Sequence, residues 1–182
     1  MLRLVIFGRT GSGKSTIAGM IAELGARRGL ETAVVKLAEP LYEIQAHFYA
    51  AAGRPVDRYA QDQSLLELIA TQLRRISPTS LADNFLARLA KVSADVVIND
   101  DLRDPDVDYH ALKAHGFRFI RVTCPEPVRL ARLGRREDLT VSAHSSSEAD
   151  LDRIVPDLTI DNPSRDLAEL RSRVQEALER FL

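Results

Sequence analysis

The chain has 182 residues, enough for one sizeable core and short for two, so a single domain over 1–182 is expected. Hydrophobic residues make up 45% and charged residues 28%, which excludes disordered and fibrous chains. The 25 basic and 26 acidic residues leave a net charge of −1, so no overall field exists to hold nucleic acid or an anionic membrane as a partner.

Cys124 is the only cysteine, and nothing pairs with it at zinc-site spacing. A reducing cytoplasm is therefore the expected location. The apolar start Met1–Phe7 is too short for a signal core, and charges interrupt every later apolar run well before the ~18 residues a membrane span needs.

Taken in chain order, the first β-branched run is Leu2–Phe7, read as a buried strand. A helix follows, with Ile17, Met20, Ile21 and Leu24 on one face. Thr32–Leu37 reads as the second strand. The apolar helix Leu65–Leu73 suits packing inside the molecule or across a homodimer, and both remain open. Ser80 with Asp83 suits a helix start, and Leu81, Phe85, Leu89 and Val92 form the stripe behind it. Asp95–Asn99 is the third strand, after which Asp104 and Asp106 read as turn and helix-start residues. Arg118–Thr123 is the fourth, and Pro127 can open the next helix. Gly134–Ser147 carries no apolar period and reads as a mobile loop. Asp157–Ile160 is the fifth strand, Asn162-Pro163 resembles a cap plus first turn, and Leu167, Leu170, Val174, Leu178 and Phe181 form a last stripe. Strands alternating with helices imply an α/β fold with a parallel sheet covered on both faces.

Between the first strand and its helix lies Gly8-Arg9-Thr10-Gly11-Ser12-Gly13-Lys14-Ser15-Thr16, a complete G-x-x-x-x-G-K-[ST] phosphate-binding loop with the strand before it and the helix after it that the motif requires. Glycines let backbone N–H groups converge on phosphate oxygens, and the helix N-terminus adds partial positive charge. Arg9 to Thr16 thus form the ATP-binding set. Lys14 neutralises the β- and γ-phosphates, the Ser15 hydroxyl ligates Mg²⁺, and Thr16 serves the α-phosphate. GTPase switches carry D-x-x-G and N-K-x-D; neither is present. The chain is also too short for a helicase-type motor. A small kinase and a nucleotide-binding regulatory module remain.

The third strand delivers Asp100, Asp101 and Arg103 at its C-terminal end, where parallel sheets bind ligands. An aspartate there can hold Mg²⁺ or accept a proton, and an arginine two residues on can grip a phosphate. After the fourth strand, Arg129, Arg132 and Arg136 stand at i, i+3 and i+7, so they can share a face, with Arg135 beside them. A cationic face fits phosphoryl transfer, where charge spread over the moving group needs donors as water leaves.

The loop Gly8–Thr16, Asp101-Leu102-Arg103, the arginine-bearing segment, His144…Ser147-Glu148 and Asp157-Leu158-Thr159-Ile160-Asp161-Asn162 together resemble the bacteriophage-type deoxynucleoside monophosphate kinases, within the P-loop nucleoside monophosphate kinase group. The resemblance implies a three-layer P-loop kinase fold, with a five-stranded parallel sheet, an acceptor-binding region at about 38–92 and a mobile lid at about 132–148. It implies ATP, Mg²⁺ and a nucleoside monophosphate as ligands, with Lys14, Arg132 and Arg136 at the transferring group and Ser15 and Asp100 at the metal. The acceptor would be held by Arg103, Asp101, Arg58 and Gln61, the last two from Arg58-Tyr59-Ala60-Gln61, which is similar to an R-x-x-Q element. Three departures stand out. Tyr42 replaces a lysine of the segment Ala38-Glu39-Pro40-Leu41-Tyr42, no glycine follows Gln61, and His144 lies one residue further from Ser147-Glu148 than in the compact pattern. Another small-metabolite kinase, acting on a phosphorylated alcohol or coenzyme precursor, and a non-catalytic regulator are the alternative functions.

Overall fold

The computed structural model describes residues 1–135, 139–140, 150–163 and 166–181. Arg136, His144, Ser147 and Glu148, and most of the segment expected to form a lid, lie outside the described residues.

Five strands, β1 (Leu2–Phe7), β2 (Thr32–Val34), β3 (Val96–Asn99), β4 (Arg118–Thr123) and β5 (Leu158–Asp161), form one all-parallel sheet in the order β2-β3-β1-β4-β5. The first strand is central and buried from Leu4 to Phe7, and its alternation sorts the core into two layers. Leu4 and Ile6 face α1 (Lys14–Ala26) and α7 (Leu167–Glu179), packing with Ile17, Ile21, Val174 and Leu178. Val5 and Phe7 face α4 (Ser80–Leu89) and α5 (Asp108–Ala114), packing with Phe85, Leu89, Tyr109 and Leu112. The expected three-layer α/β arrangement is thus present. Among the described residues, no helix is long and apolar enough to cross a membrane.

A third cluster stands apart from the sheet. Leu41 and Tyr42 of α2 (Glu39–Ala51), Leu66 and Ile69 of α3 (Gln63–Ile76) and Leu81 of α4 pack on one another. The stripe on Leu65–Leu73 therefore turns inward, at least in part, while Leu68 is exposed.

Strand ends differ from the expected ones for visible reasons. The second strand runs only to Val34; Val35 N–H still donates to Ile98, but the amides of Leu37 and Ala38 turn away to the Asp101 carboxylate, at 2.8 and 3.0 Å. The fifth strand begins one residue late because Asp157 binds Phe119 through both its amide and its side chain. Asn162-Pro163 does not start the last helix. Asp166 does, accepting hydrogen bonds from the amides of Ala168 and Glu169. At α4 the cap is Thr79, whose hydroxyl donates to Asp83 at 2.7 Å. Pro127 does lie in the first turn of α6 (Glu126–Leu133).

Candidate active site

All five strands point their C-terminal ends the same way, so the loops after β1, β3 and β5 converge on one edge. The loop after β1 is held by geometry only glycine tolerates. Gly8 has φ +146° and a side chain there would strike the carbonyl of Val122; Gly13 has φ +104° and would strike the Asn162 amide. The backbone of the loop therefore hugs β4 and the residue after β5.

Three side chains fasten the loop from outside. Arg129 is only 2% exposed, donates to the Thr10 carbonyl at 3.1 Å, and is itself held by Glu126 at 2.7 and 2.8 Å. Asn162 donates to the Ser12 carbonyl at 2.8 Å, and Arg132 reaches the same carbonyl and the Asn162 side chain, at 3.3 and 3.1 Å. The arginine face after β4 is thus divided. Arg129 is a buried strut, whereas Arg132 lies against the loop with its guanidinium beside the phosphate cradle.

Within the loop, Lys14 donates to the carbonyls of Gly8 and Arg9, at 2.9 and 3.2 Å. A polyphosphate offers that ammonium stronger, charged acceptors. Thr10 and Ser12 are buried, Ser15 and Thr16 open the helix with exposed positions, and Gly11 completes the turn. The Arg9 side chain points outward toward Glu126, 4.0 Å away.

Residues after β3 complete the site. Asp100 accepts from the Ser15 hydroxyl at 2.9 Å on one oxygen and from Lys36 at 2.7 Å on the other. Burial would lower the Lys36 ammonium, but the charge and hydrogen bond of Asp100, with Asp101 behind, hold it above its ordinary value. Ser15 and Asp100 form a hard-oxygen pair at the mouth of the loop, the donor set Mg²⁺ takes when phosphates supply the rest of its shell. Among the described residues, no group of three or more His, Cys, Asp or Glu could hold a metal by itself.

Asp101 is committed differently. Its oxygens accept from the amides of Leu37 and Ala38 and from the Asn99 side chain, at 2.8, 3.0 and 2.6 Å. Burial pushes its carboxyl up, against the pull of Lys36. It pins the start of α2, and it also lines an adjoining cavity.

That cavity, of about 480 Å³, lies between the loop, the end of β3 and the third cluster. At the loop end stand Thr10 and Arg103, joined at 3.1 Å. Leu41, Leu66, Ala70 and Leu81 form apolar walls, and Tyr42 and Gln61, hydrogen-bonded at 2.7 Å, stand opposite. Arg74 of α3 lines it too, held by Asp104 at 3.2 Å and Asp108 at 2.6 Å. Burial raises the Asp108 carboxyl to about 6, despite Arg74. Arg58 does not line the cavity; it donates to Glu39, and its side chain is 64% exposed.

The structure therefore brings together Lys14, Ser15, Asp100, Asp101, Arg103, Gln61 and Arg132 along one edge, and leaves Arg58 outside. Lys36, Arg74, Asn162 and the strut role of Arg129 are not evident from sequence. Of these residues Asn162 carries a signal there, as the last residue of the segment Asp157-Leu158-Thr159-Ile160-Asp161-Asn162.

These features define the P-loop kinase fold. Among solved structures, the chain is similar to TT1252 from Thermus thermophilus (19% identity, 100% of this chain and 99% of that one, TM-score 0.58). It is similar also to shikimate kinase from Acinetobacter baumannii in complex with shikimate (17%, 99% and 92%, TM-score 0.57) and a gluconokinase from Sinorhizobium meliloti 1021 (18%, 98% and 92%, TM-score 0.51). The likeness is one of fold. No protein-family model matches the chain, and no curated protein does.

Proposed function

We propose that the chain is an ATP-dependent phosphotransferase whose acceptor is a (deoxy)nucleoside 5′-monophosphate. The observation that carries this reading is the cavity: about 480 Å³, cationic at the loop end through Arg103 and apolar along Leu41, Leu66, Ala70 and Leu81. A monophosphate places its anion at the first and the flat faces of its base against the second. Gln61 and Tyr42 offer polar edges for the base.

In this reading the bond between the γ-phosphorus and the ADP oxygen breaks as one forms to an oxygen of the acceptor phosphate, giving ADP and the nucleoside diphosphate. Lys14 and the loop amides hold the triphosphate, Arg103 aligns the acceptor, and Arg132 lies beside the junction. Mg²⁺ bound through Ser15 and Asp100 would neutralise charge on the donor phosphates.

A second reading follows from the fold neighbours named for shikimate and gluconate, which would make the acceptor a hydroxyl compound. A hydroxyl acceptor calls for a carboxylate to take its proton. Asp101, a carboxylate that lines the cavity beside Arg103, already accepts from two amides and Asn99, which favours the phosphate acceptor, an anion that needs no base.

A panel of ribo- and deoxyribonucleoside monophosphates, with shikimate and gluconate alongside, tests the proposal with ATP and Mg²⁺. Diphosphate formation from at least one monophosphate is expected. ADP release with a hydroxyl acceptor and none with the monophosphates would overturn it.

A further inference from the structure

Lys36 has no part in the phosphoryl transfer proposed above, yet it sits at the centre of the site. It lies two residues beyond β2, and its ammonium contacts one oxygen of Asp100 at 2.7 Å while Ser15 occupies the other at 2.9 Å. Asp100 is 5% exposed, and a carboxylate that buried needs a counter-charge. Lys36 supplies it. A divalent cation arriving with a nucleotide would supply the same charge to the same group, and the two cations repel at such range. While paired with Asp100 the Lys36 ammonium already stands 5.9 Å from the Tyr59 ring centre, a ring that Arg58 also approaches, at 5.6 Å, and Tyr59 packs edge-on against Tyr42, which lines the cavity, so an aromatic face lies on that side of the ammonium.

We propose that Lys36 is an exchangeable counter-ion, which holds Asp100 in the metal-free protein, yields it to the divalent cation carried by the nucleotide, and moves its own charge toward the acceptor cavity. The inference rests on Ser15 and Asp100 as the metal position, and not on which acceptor is used. Its consequence is a linkage. Lys36 assists binding of metal-free nucleotide, by cancelling the charge of Asp100, and opposes binding of the metal itself.

The test titrates a fluorescent, non-hydrolysable ATP analogue into wild type, Lys36→Met and Lys36→Arg, in EDTA and in Mg²⁺, with circular dichroism to confirm folding. In Lys36→Met, metal-free binding should weaken about tenfold and Mg²⁺-loaded binding should hold or tighten, so the ratio of the two Kd values grows about tenfold or more, a scale set by one unit charge at a partly buried site. Lys36→Arg keeps the charge and should stay within about threefold of wild type. In an Asp100→Asn background the effect of Lys36→Met on the ratio should vanish. An unchanged ratio in Lys36→Met, or equal weakening under both conditions with intact dichroism, overturns the proposal by making Lys36 a structural support.

Wild type alone offers a check that needs no variant. The chain has four lysines, Lys14, Lys36, Lys91 and Lys113, so the Lys36 side-chain ¹³Cε signal can be followed by NMR. Mg²⁺-loaded analogue should move it, and metal-free analogue should leave it near its apo position; identical positions with both overturn the exchange. Should every monophosphate fail as acceptor while the linkage is seen, the counter-ion role stands and the acceptor assignment falls. A flat linkage in a protein that phosphorylates monophosphates removes the counter-ion role and leaves the acceptor assignment intact.

Discussion

Asp108 is 1% exposed and touches Arg74 at 2.6 Å, yet burial outweighs that partner and lifts its carboxyl from 3.8 to about 6. Asp104 and Asp101 push in the same direction. Between these two values the folded chain binds more protons than the unfolded one, so this group favours folding below about pH 4 and that contribution is lost as pH rises through 6. Asp108→Asn does not titrate. The stability of wild type relative to this variant should therefore fall by about 2 kcal/mol from pH 4 to pH 7, read by urea unfolding at both pH values. A constant difference would mean that Arg74 neutralises Asp108 fully. At this scale the sequence is uneven. Lys14 and Ser15 are legible because the loop is local, its spacing fixed by nine consecutive positions. Arg74 and Lys36 are not, since what matters about them is which carboxylates a distant strand or turn brings within 3 Å. Asp104 is read correctly for the same local reason: its side chain accepts from the amides of Asp106 and Val107, both at 2.8 Å.

Elements are legible where the apolar period is long, and their ends where a side chain competes with the ladder only nearby. β1 and β4 match their expected limits. β2 does not, because Asp101, far along the chain, captures the amides that would have extended it. Another junction of distant elements lies at the start of α3. Asp62 caps that helix at Leu65, accepts from Tyr49 at 2.7 Å, and accepts from Thr140 at 2.7 Å, while the amide of Leu139 donates to Gln61 at 2.9 Å. These bonds hold the Asp62 carboxyl below its ordinary value, although burial acts the other way. Leu139 and Thr140 are thereby tied to the neighbourhood of Gln61, at the cavity wall. Asp62→Ala should cost about 1–2 kcal/mol, the worth of a cap and its accompanying hydrogen bonds, and should speed amide exchange at Leu139. Thr140→Val should speed the same exchange at well under that stability cost, because the cap survives. Exchange at Leu139 unaffected by either substitution would show that the backbone bond to Gln61 alone holds this residue in place.

For the whole molecule, the β-branched runs predict a buried parallel sheet, but they do not predict that β1 lies between β3 and β4. Periodicity reports which face a residue presents; strand neighbours depend on crossovers that leave no periodic mark. The same holds for the third cluster, whose apolar residues on α2, α3 and α4 look like any sheet-facing stripe until the fold sets them beside the cavity. The site exists only when β1, β3, β4 and β5 are all in place, since Gly8 packs on Val122, Ser15 meets Asp100 and Asn162 holds Ser12. A nucleotide bound there should consequently stabilise the entire chain and not one lobe. At a hundredfold excess over Kd the gain is about 2.7 kcal/mol, which for a chain of this size raises Tm by roughly 5–10 °C. Thermal unfolding with ATP and Mg²⁺ should show that rise in wild type as one cooperative transition. Lys14→Ala, which loses the ammonium now resting on Gly8 and Arg9, should lose most of it while its own Tm without nucleotide moves much less, because one of those hydrogen bonds is exposed and the other only partly buried. An equal rise in both proteins would place the nucleotide somewhere other than the loop after β1.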